Sequence, residues 1–225
     1  MNEQGCHTGA TLDGWRAGAQ AIPSYPVSAV AMTWSTRFAC ALAVLSCATA
    51  ASADFTPEQR DRLLAGQLVS ESNDYERGYH RYIGGVSYLI VDDPIERLSA
   101  TARDVGKIRV LLPFVTKASL VDMSPSGRAR IRIEQAMGPV SGGYTLNAEF
   151  REGGRFGRFW IDRGADNAID DAWGFVRLTP VAGGRTLITY GILVDLGNGM
   201  LHALFESRIR ALLLAMPARL ARASR

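Results

Sequence analysis

The chain is short of the residues that most enzyme and metal chemistry requires. Its three cysteines, Cys6, Cys40 and Cys47, all lie in the first fifth of the chain. Beyond them there is no side chain for a disulfide, a thiolate nucleophile or a cysteine metal site. Histidine is almost as scarce: past residue 53 only His80 and His202 remain, too few for a transition-metal site without several carboxylates at fixed spacing. No metal and no cofactor is expected. The sequence contains no G-x-S-x-G elbow, no P-loop and no G-x-G-x-x-G fingerprint. Gly153-Gly-Arg-Phe-Gly157 is glycine-rich but falls where a hairpin turn is expected. Charge of one sign is lacking too. There are 25 Lys and Arg against 22 Asp and Glu, a net charge of +3, and no basic stripe interleaved with aromatics, so nucleic acid is not an expected partner.

What is present suits one globular domain: 225 residues, 47% of them hydrophobic, with charges of both signs. The first part of the chain reads differently. Met32-Thr-Trp-Ser-Thr-Arg37 is a short positive segment, Phe38 to Ala50 is almost wholly apolar or small, and Ala51-Ser52-Ala53 has the small-x-small pattern of a cleavage site. Residues 32–53 are therefore predicted to be a secretory signal peptide cut after Ala53, which places the chain from Asp54 onward in the periplasm or outside the cell. A short buried helix at the domain edge is the alternative. Val44-Leu-Ser-Cys47 loosely resembles a lipoprotein box, a variant that would leave the protein lipid-anchored at Cys47. Residues 1–31, rich in Gly, Ala, Ser and Pro without periodicity, are expected to be a mis-assigned translation start or a disordered tail.

Thr56-Pro57-Glu58-Gln59 opens a first helix, with Thr as N-cap, Pro at the first helical position and Gln able to close a capping box. Residues 54–83 form this helix, ending near Gly66, and a polar lead-in with the start of a strand. Val86–Val91 is a β-branched and aromatic strand. Asp93-Pro94-Ile95-Glu96, with Asp93 as N-cap and Glu96 at N3, signals a helix to about Val105, and Lys107–Leu112 a second short one. Strands separated by turn residues then take over: Thr116–Met123, Arg128–Met137, Tyr144–Phe150, Arg155–Ile161, Asp171–Leu178 and Thr186–Asp195. In the second of these Arg128, Arg130 and Arg132 alternate with Ala129, Ile131 and Ile133, as in a half-solvated strand. Glu152-Gly-Gly154 and Ala182-Gly-Gly184 mark hairpin turns, so the strands are expected to form an antiparallel meander.

The chain ends in Asn198–Arg225, read as one long amphipathic helix. Met200, Leu201, Leu204, Phe205, Ile209, Leu212, Leu213, Met216 and Leu220 sweep out a very broad apolar arc at roughly 100° per residue. Such a face needs a curved sheet beneath it.

This order of elements resembles the START-like, or SRPBCC, superfamily with its helix-grip fold, and within it the polyketide-cyclase/coenzyme-Q-binding type of domain. The residues that carry the resemblance are Asp171-Ala-Trp-Gly-Phe-Val-Arg-Leu178, Leu187-Ile-Thr-Tyr-Gly-Ile-Leu-Val194 and the helix from Met200. It covers roughly Gly84 to Leu220, giving a domain over 84–222. The implied class is α+β, a curved antiparallel sheet wrapped around a long C-terminal helix. The implied role is binding of a hydrophobic small molecule, a lipid, quinone or isoprenoid, in a cavity between sheet and helix. An enzyme of the cyclase or dehydratase kind, or an assembly protein with no ligand, are the alternatives.

Candidates for the cavity wall are Trp160, Trp173, Phe175 and Tyr190 on central strands, and Leu201, Leu204, Phe205 and Leu212 on the helix. The aromatics serve equally well as ordinary core. Arg208 falls by angle among Leu201, Leu204 and Leu212, where a guanidinium needs a partner: an internal carboxylate such as Glu149 or Asp171, an anionic headgroup, or solvent reached by snorkelling. Of Asp170 and Asp171, adjacent at a strand start, at most one can face a cavity. Tyr190, Asp171 and His202 are the groups a proton-transfer role would use. Arg208, Arg210, Arg219, Arg222 and Arg225 with no acid after Glu206 offset the helix dipole or draw the protein transiently to anionic membrane lipid.

Overall fold

The computed structural model describes residues 55–225 except 138–139 and 198–199, with the backbone alone described at 137, 140 and 200–205. The signal-peptide pattern of residues 32–53, with Cys47, and the segment before it lie outside the described residues. Helix α1, Pro57–Leu64, carries the expected capping box: the Thr56 side chain accepts from Gln59 N, and Thr56 N donates to Gln59 Oε1. Strands β1 (Val69–Arg77) and β2 (His80–Val91) follow as a hairpin. Then come α2 (Ile95–Arg103), a 3-10 turn (Val105–Lys107) and the single-turn α3 (Ile108–Leu111). The remaining strands are β3 (Val115–Met123), β4 (Ala129–Met137), β5 (Val140–Arg151), β6 (Phe156–Ile161), β7 (Asp171–Val181) and β8 (Arg185–Asp195). Two helices close the chain, α4 (Met200–Leu214) and α5 (Met216–Ala223).

The strands make one eight-stranded sheet in the order β1-β2-β8-β7-β6-β5-β4-β3, every neighbouring pair antiparallel. β3 to β8 are the expected meander. The α2–α3 segment carries the chain from β2 to the far edge, and its Leu98 and Leu111 pack into the core on the same side of the sheet as α4 and α5.

Three expectations change. β1 was expected as lead-in, because Ser-Glu-Ser-Asn-Asp-Tyr-Glu-Arg carries no apolar alternation; it is an exposed edge strand whose charges blunt the edge. Helix α2 takes Pro94 as N-cap, with no side-chain cap, while the Asp93 carboxylate turns to Arg97 instead. The terminal helix is broken at Ala215 into α4 and α5. Pro217 lacks the N–H for a helical bond to Leu213 and crowds that carbonyl, which ends one helix and starts the next.

Pleat and register sort the side chains into two faces. On β7 the alternation Ala172, Gly174, Val176, Leu178 is buried, and Trp173 and Phe175 are less so. Pairing carries the same phase to Val194, Ile192, Tyr190 and Ile188 on β8 and to Leu89 and Val91 on β2. This inner face packs against Leu98, Leu214, Met216 and Leu220 of the helices. Helix α4 is fastened to the β1–β2 hairpin by ion pairs: Glu206 with Arg81 at 2.7 Å and with Arg210 at 2.6 Å, and Arg210 with Asp74 at 2.5 Å.

Four of the seven tyrosines are held neutral by this architecture. Burial, and then a hydrogen bond to Asp171, push Tyr82 up to about 12; burial raises Tyr88, Tyr144 and Tyr190 as well. A folded-state pKa above the unfolded value leaves stability complete below pH about 10 and removes it as pH rises towards 12 and beyond. Urea-unfolding free energy is therefore expected to be flat from pH 7 to 9 and to fall steeply above 10. In a spectrophotometric titration these four phenolates should appear only as the protein unfolds; early ionisation of all of them would contradict the burial.

Candidate functional site

The described buried apolar residues of the inner face divide into two clusters rather than one. The first joins β2, β8 and β7 to α2, α4 and α5 and includes Val176, Tyr190, Ile192 and Leu220. The second joins β3 to β6 and includes Ile131, Ile133, Tyr144 and Leu146, with Val105 and Ile108 packed on it. Phe150, Phe159 and Ile169 pack against both. The rings of Phe150 and Phe159 can lie across the sheet because glycines stand beneath them. A Cβ on Gly157 would meet Phe150 Cε1 at 2.7 Å, and one on Gly174 would overlap Phe159 Cζ. Phe159 stacks on Tyr190 with centroids 6.1 Å apart and planes inclined by 22°. Tyr190 and Tyr144 thus stand on either side of the seam between the clusters.

Among the described residues, two hydroxyls on this face have no hydrogen-bond partner, Tyr190 Oη and Ser87 Oγ, though their residues are only 1% and 0% exposed. They are direct cross-strand partners on β8 and β2. Native proteins rarely leave buried hydroxyls so.

Of the residues singled out from sequence, Tyr190 is on the inner face. Trp160, Trp173 and Phe175 are not: they alternate onto the outer face, away from the helices, which corrects their assignment to a cavity wall. Outside, the guanidinium groups of Arg128 and Arg158 lie over the Trp160 ring, 5.4 and 5.2 Å from its centroid, and Phe175 is 6.3 Å from Phe156. Leu212 is half-buried in α4. Leu201, Leu204 and Phe205 belong to α4, but their side chains, like that of His202, lie outside the described residues. Arg208 is corrected from the apolar face to an exposed position, and it makes no ion pair among the described residues. The physical reason is the rotation of α4. Glu206 faces the β1–β2 hairpin, and Arg208, two residues on and roughly 200° round the helix, faces away. Its two proposed partners are engaged elsewhere: Glu149 bonds Arg151 and Arg158, and Asp171 bonds Arg163.

At the β2 start and β7–β8 end, the outer face carries a polar network that the sequence did not announce. Asp171, buried, accepts from Tyr82 Oη at 2.9 Å, from Arg163 Nη2 at 2.7 Å and from Ala172 N at 2.9 Å. Its register partner Asp195, also buried, accepts from Gly197 N and meets His80 Nδ1 at 2.7 Å. With Asp170, His80 and Asp195 bring three donor atoms within 4.8 Å of one another. A cation could be held there only by opening the His80–Asp195 hydrogen bond. A separate open cleft of about 330 Å³ lies between α3 and α5, lined by Val110, Ala215, Arg219 and Arg222.

No family model matches the chain, and no curated protein matches it either. Solved structures do. A protein from Thermus thermophilus aligns over 62% of this chain and 92% of its own, at 16% identity and a TM-score of 0.50. A STAR-related lipid transfer protein from Xanthomonas axonopodis aligns over 68% of this chain and 93% of its own, at 14% identity and a TM-score of 0.54. An aromatase/cyclase from a Streptomyces species aligns over 70% and 92%, at 9% identity and a TM-score of 0.49. With its eight antiparallel strands, its helical crossover and its C-terminal helices on one face, the chain has the START-like helix-grip fold.

Proposed function

We propose that this protein binds a hydrophobic small molecule, a lipid or isoprenoid-like compound, between the inner face of its sheet and its C-terminal helices, and that it acts by sequestering that molecule. The observation that carries the reading is the apolar inner face under the C-terminal helices, where among the described residues two clusters of buried side chains meet only through the half-buried Phe150, Phe159 and Ile169. Burying an acyl chain at such a seam gains on the order of 0.8 kcal/mol per methylene, sufficient for retention without a catalytic group. Lipid transfer, the role named for the Xanthomonas protein, is the same kind of activity. A proton-transfer role is less well supported. Asp171 is on the outer face, and Tyr190, its ionisation opposed by burial, is a poor base.

The signal-peptide pattern before Asp54 adds export to the periplasm, and Arg219 and Arg222 in their cleft add a surface for anionic lipid during loading. Native mass spectrometry of the protein purified from its host's periplasm is the test. The expected species begins at Asp54 and carries one equivalent of an extractable lipid. A bare protein mass, with no uptake from a lipid extract, would overturn the sequestration reading.

A further inference from the structure

One of the two unpartnered hydroxyls, that of Tyr190, narrows the chemistry of that ligand, an inference that rests on the binding reading above. Phenylalanine would fill the same volume and keep the stack on Phe159 without burying a polar atom, so the hydroxyl is a liability unless something occupies it. It is a donor: burial, and the Tyr144 phenol nearby, hold it in the neutral O–H form. Ser87 is on the same face, but β2 flanks β8 on the side opposite the Phe159 ring on which Tyr190 stacks, so the Tyr190 hydroxyl acts alone. Among the described residues no buried charge accompanies them. The buried charged residues among those described are Asp93, Asp171 and Asp195; the last two are on the outer face, and Asp93 is in the loop after β2 beside Arg97. An ionised carboxylate or phosphate brought to Tyr190 would therefore lose its hydration without meeting a cation.

We infer that the ligand is a neutral lipid bearing a hydrogen-bond-accepting oxygen, such as the carbonyl of an ester or ketone. Its oxygen is held by the Tyr190 hydroxyl, and its hydrocarbon lies along the seam between the two apolar clusters. The ligand's oxygen thus enters with the apolar part rather than staying at the surface.

The test is displacement of the neutral fluorophore N-phenylnaphthylamine from the wild-type chain and from Tyr190→Phe, by methyl laurate, by pentadecane and by laurate. Wild type should bind methyl laurate and prefer it to laurate. Tyr190→Phe should weaken methyl laurate about tenfold, the worth of one neutral hydrogen bond, and leave pentadecane unchanged. The free Tyr190→Phe protein should keep its Tm or gain a few degrees, because it sheds an unpaired hydroxyl. Equal effects of Tyr190→Phe on ester and hydrocarbon, or a Tm several degrees lower in the free variant, would overturn the inference while the binding reading stood. Failure of all three compounds to displace the fluorophore would overturn both.

Discussion

Gly84→Ala and Gly85→Ala are expected to leave little folded protein. Both glycines sit inside β2, at φ of 154° and 143°, a region in which L side chains are strained. A Cβ at Gly84 would overlap the carbonyl oxygen of Ile192 on β8, and one at Gly85 would overlap that of Glu71 on β1. β2 is thus gripped from both sides by backbone, which cannot swing aside as a side chain can. Relief would require parting β2 from β8 or β1 over several residues, with loss of ladder hydrogen bonds. Backbone strain and overpacking together come to about 4 kcal/mol or more, a large part of the 5–15 kcal/mol that holds an ordinary domain folded. Gly78→Ala is the control. Its φ is 62°, but nothing lies within 4 Å of the added methyl, so only the left-handed backbone cost of about 1 kcal/mol remains. Soluble yield and urea-unfolding midpoints should separate the three variants cleanly. A Gly84→Ala protein with wild-type stability would mean that β2 follows a different path.

That glycine pair also shows where sequence reading stops. The strands of the meander were legible because turn signals bound each of them and most are rich in β-branched and aromatic residues; β4, with Arg130 and Arg132 outside and Ile131 and Ile133 inside, alternates most plainly. The first half of β2 was not legible. Gly84-Gly85 breaks the apolar run, and only pairing with β1 and β8 makes it strand. β1 failed for the same reason, since an edge strand of charged residues has no periodicity of its own. The break between α4 and α5 was signalled by Pro217, but the wide apolar arc on both sides of it concealed the stop. The candidate site suffered most from β7, which is apolar on both faces. Trp173 and Phe175 compete there with Val176 and Leu178, and hydrophobicity gives no reason to choose. Burial does, because the helices cover one face only. The outer network was beyond any local pattern: Tyr82 and Asp171 are 89 residues apart, and His80 and Asp195 are 115 apart.

Asp171→Ala is the second substitution expected to be severe, at about 3 kcal/mol, and its cost lies in what it strands. The carboxylate is buried and receives three hydrogen bonds, from the Tyr82 hydroxyl, the Arg163 guanidinium and the Ala172 amide. Remove it and the Tyr82 hydroxyl, itself in a residue 6% exposed, has no acceptor. Arg163 suffers far less, because 78% of its side chain is already in water. Arg163→Ala should therefore cost about 1 kcal/mol, with Tyr82 and Ala172 still bonding the carboxylate. The asymmetry predicts a recovery: Tyr82→Phe added to Asp171→Ala should restore about 1 kcal/mol, since the pair is then apolar on both sides. The alkaline limb would move as well. Without Asp171 the Tyr82 phenol loses the charge and hydrogen bond that help hold its pKa near 12, and the loss of stability with rising pH should become shallower. Equilibrium unfolding of the two single variants and the double variant at pH 7 and pH 10 measures both effects. If Asp171→Ala proved as mild as Arg163→Ala, the carboxylate would be an ordinary solvated strand end, and the outer face would have no buried polar network to hold β2 against β7.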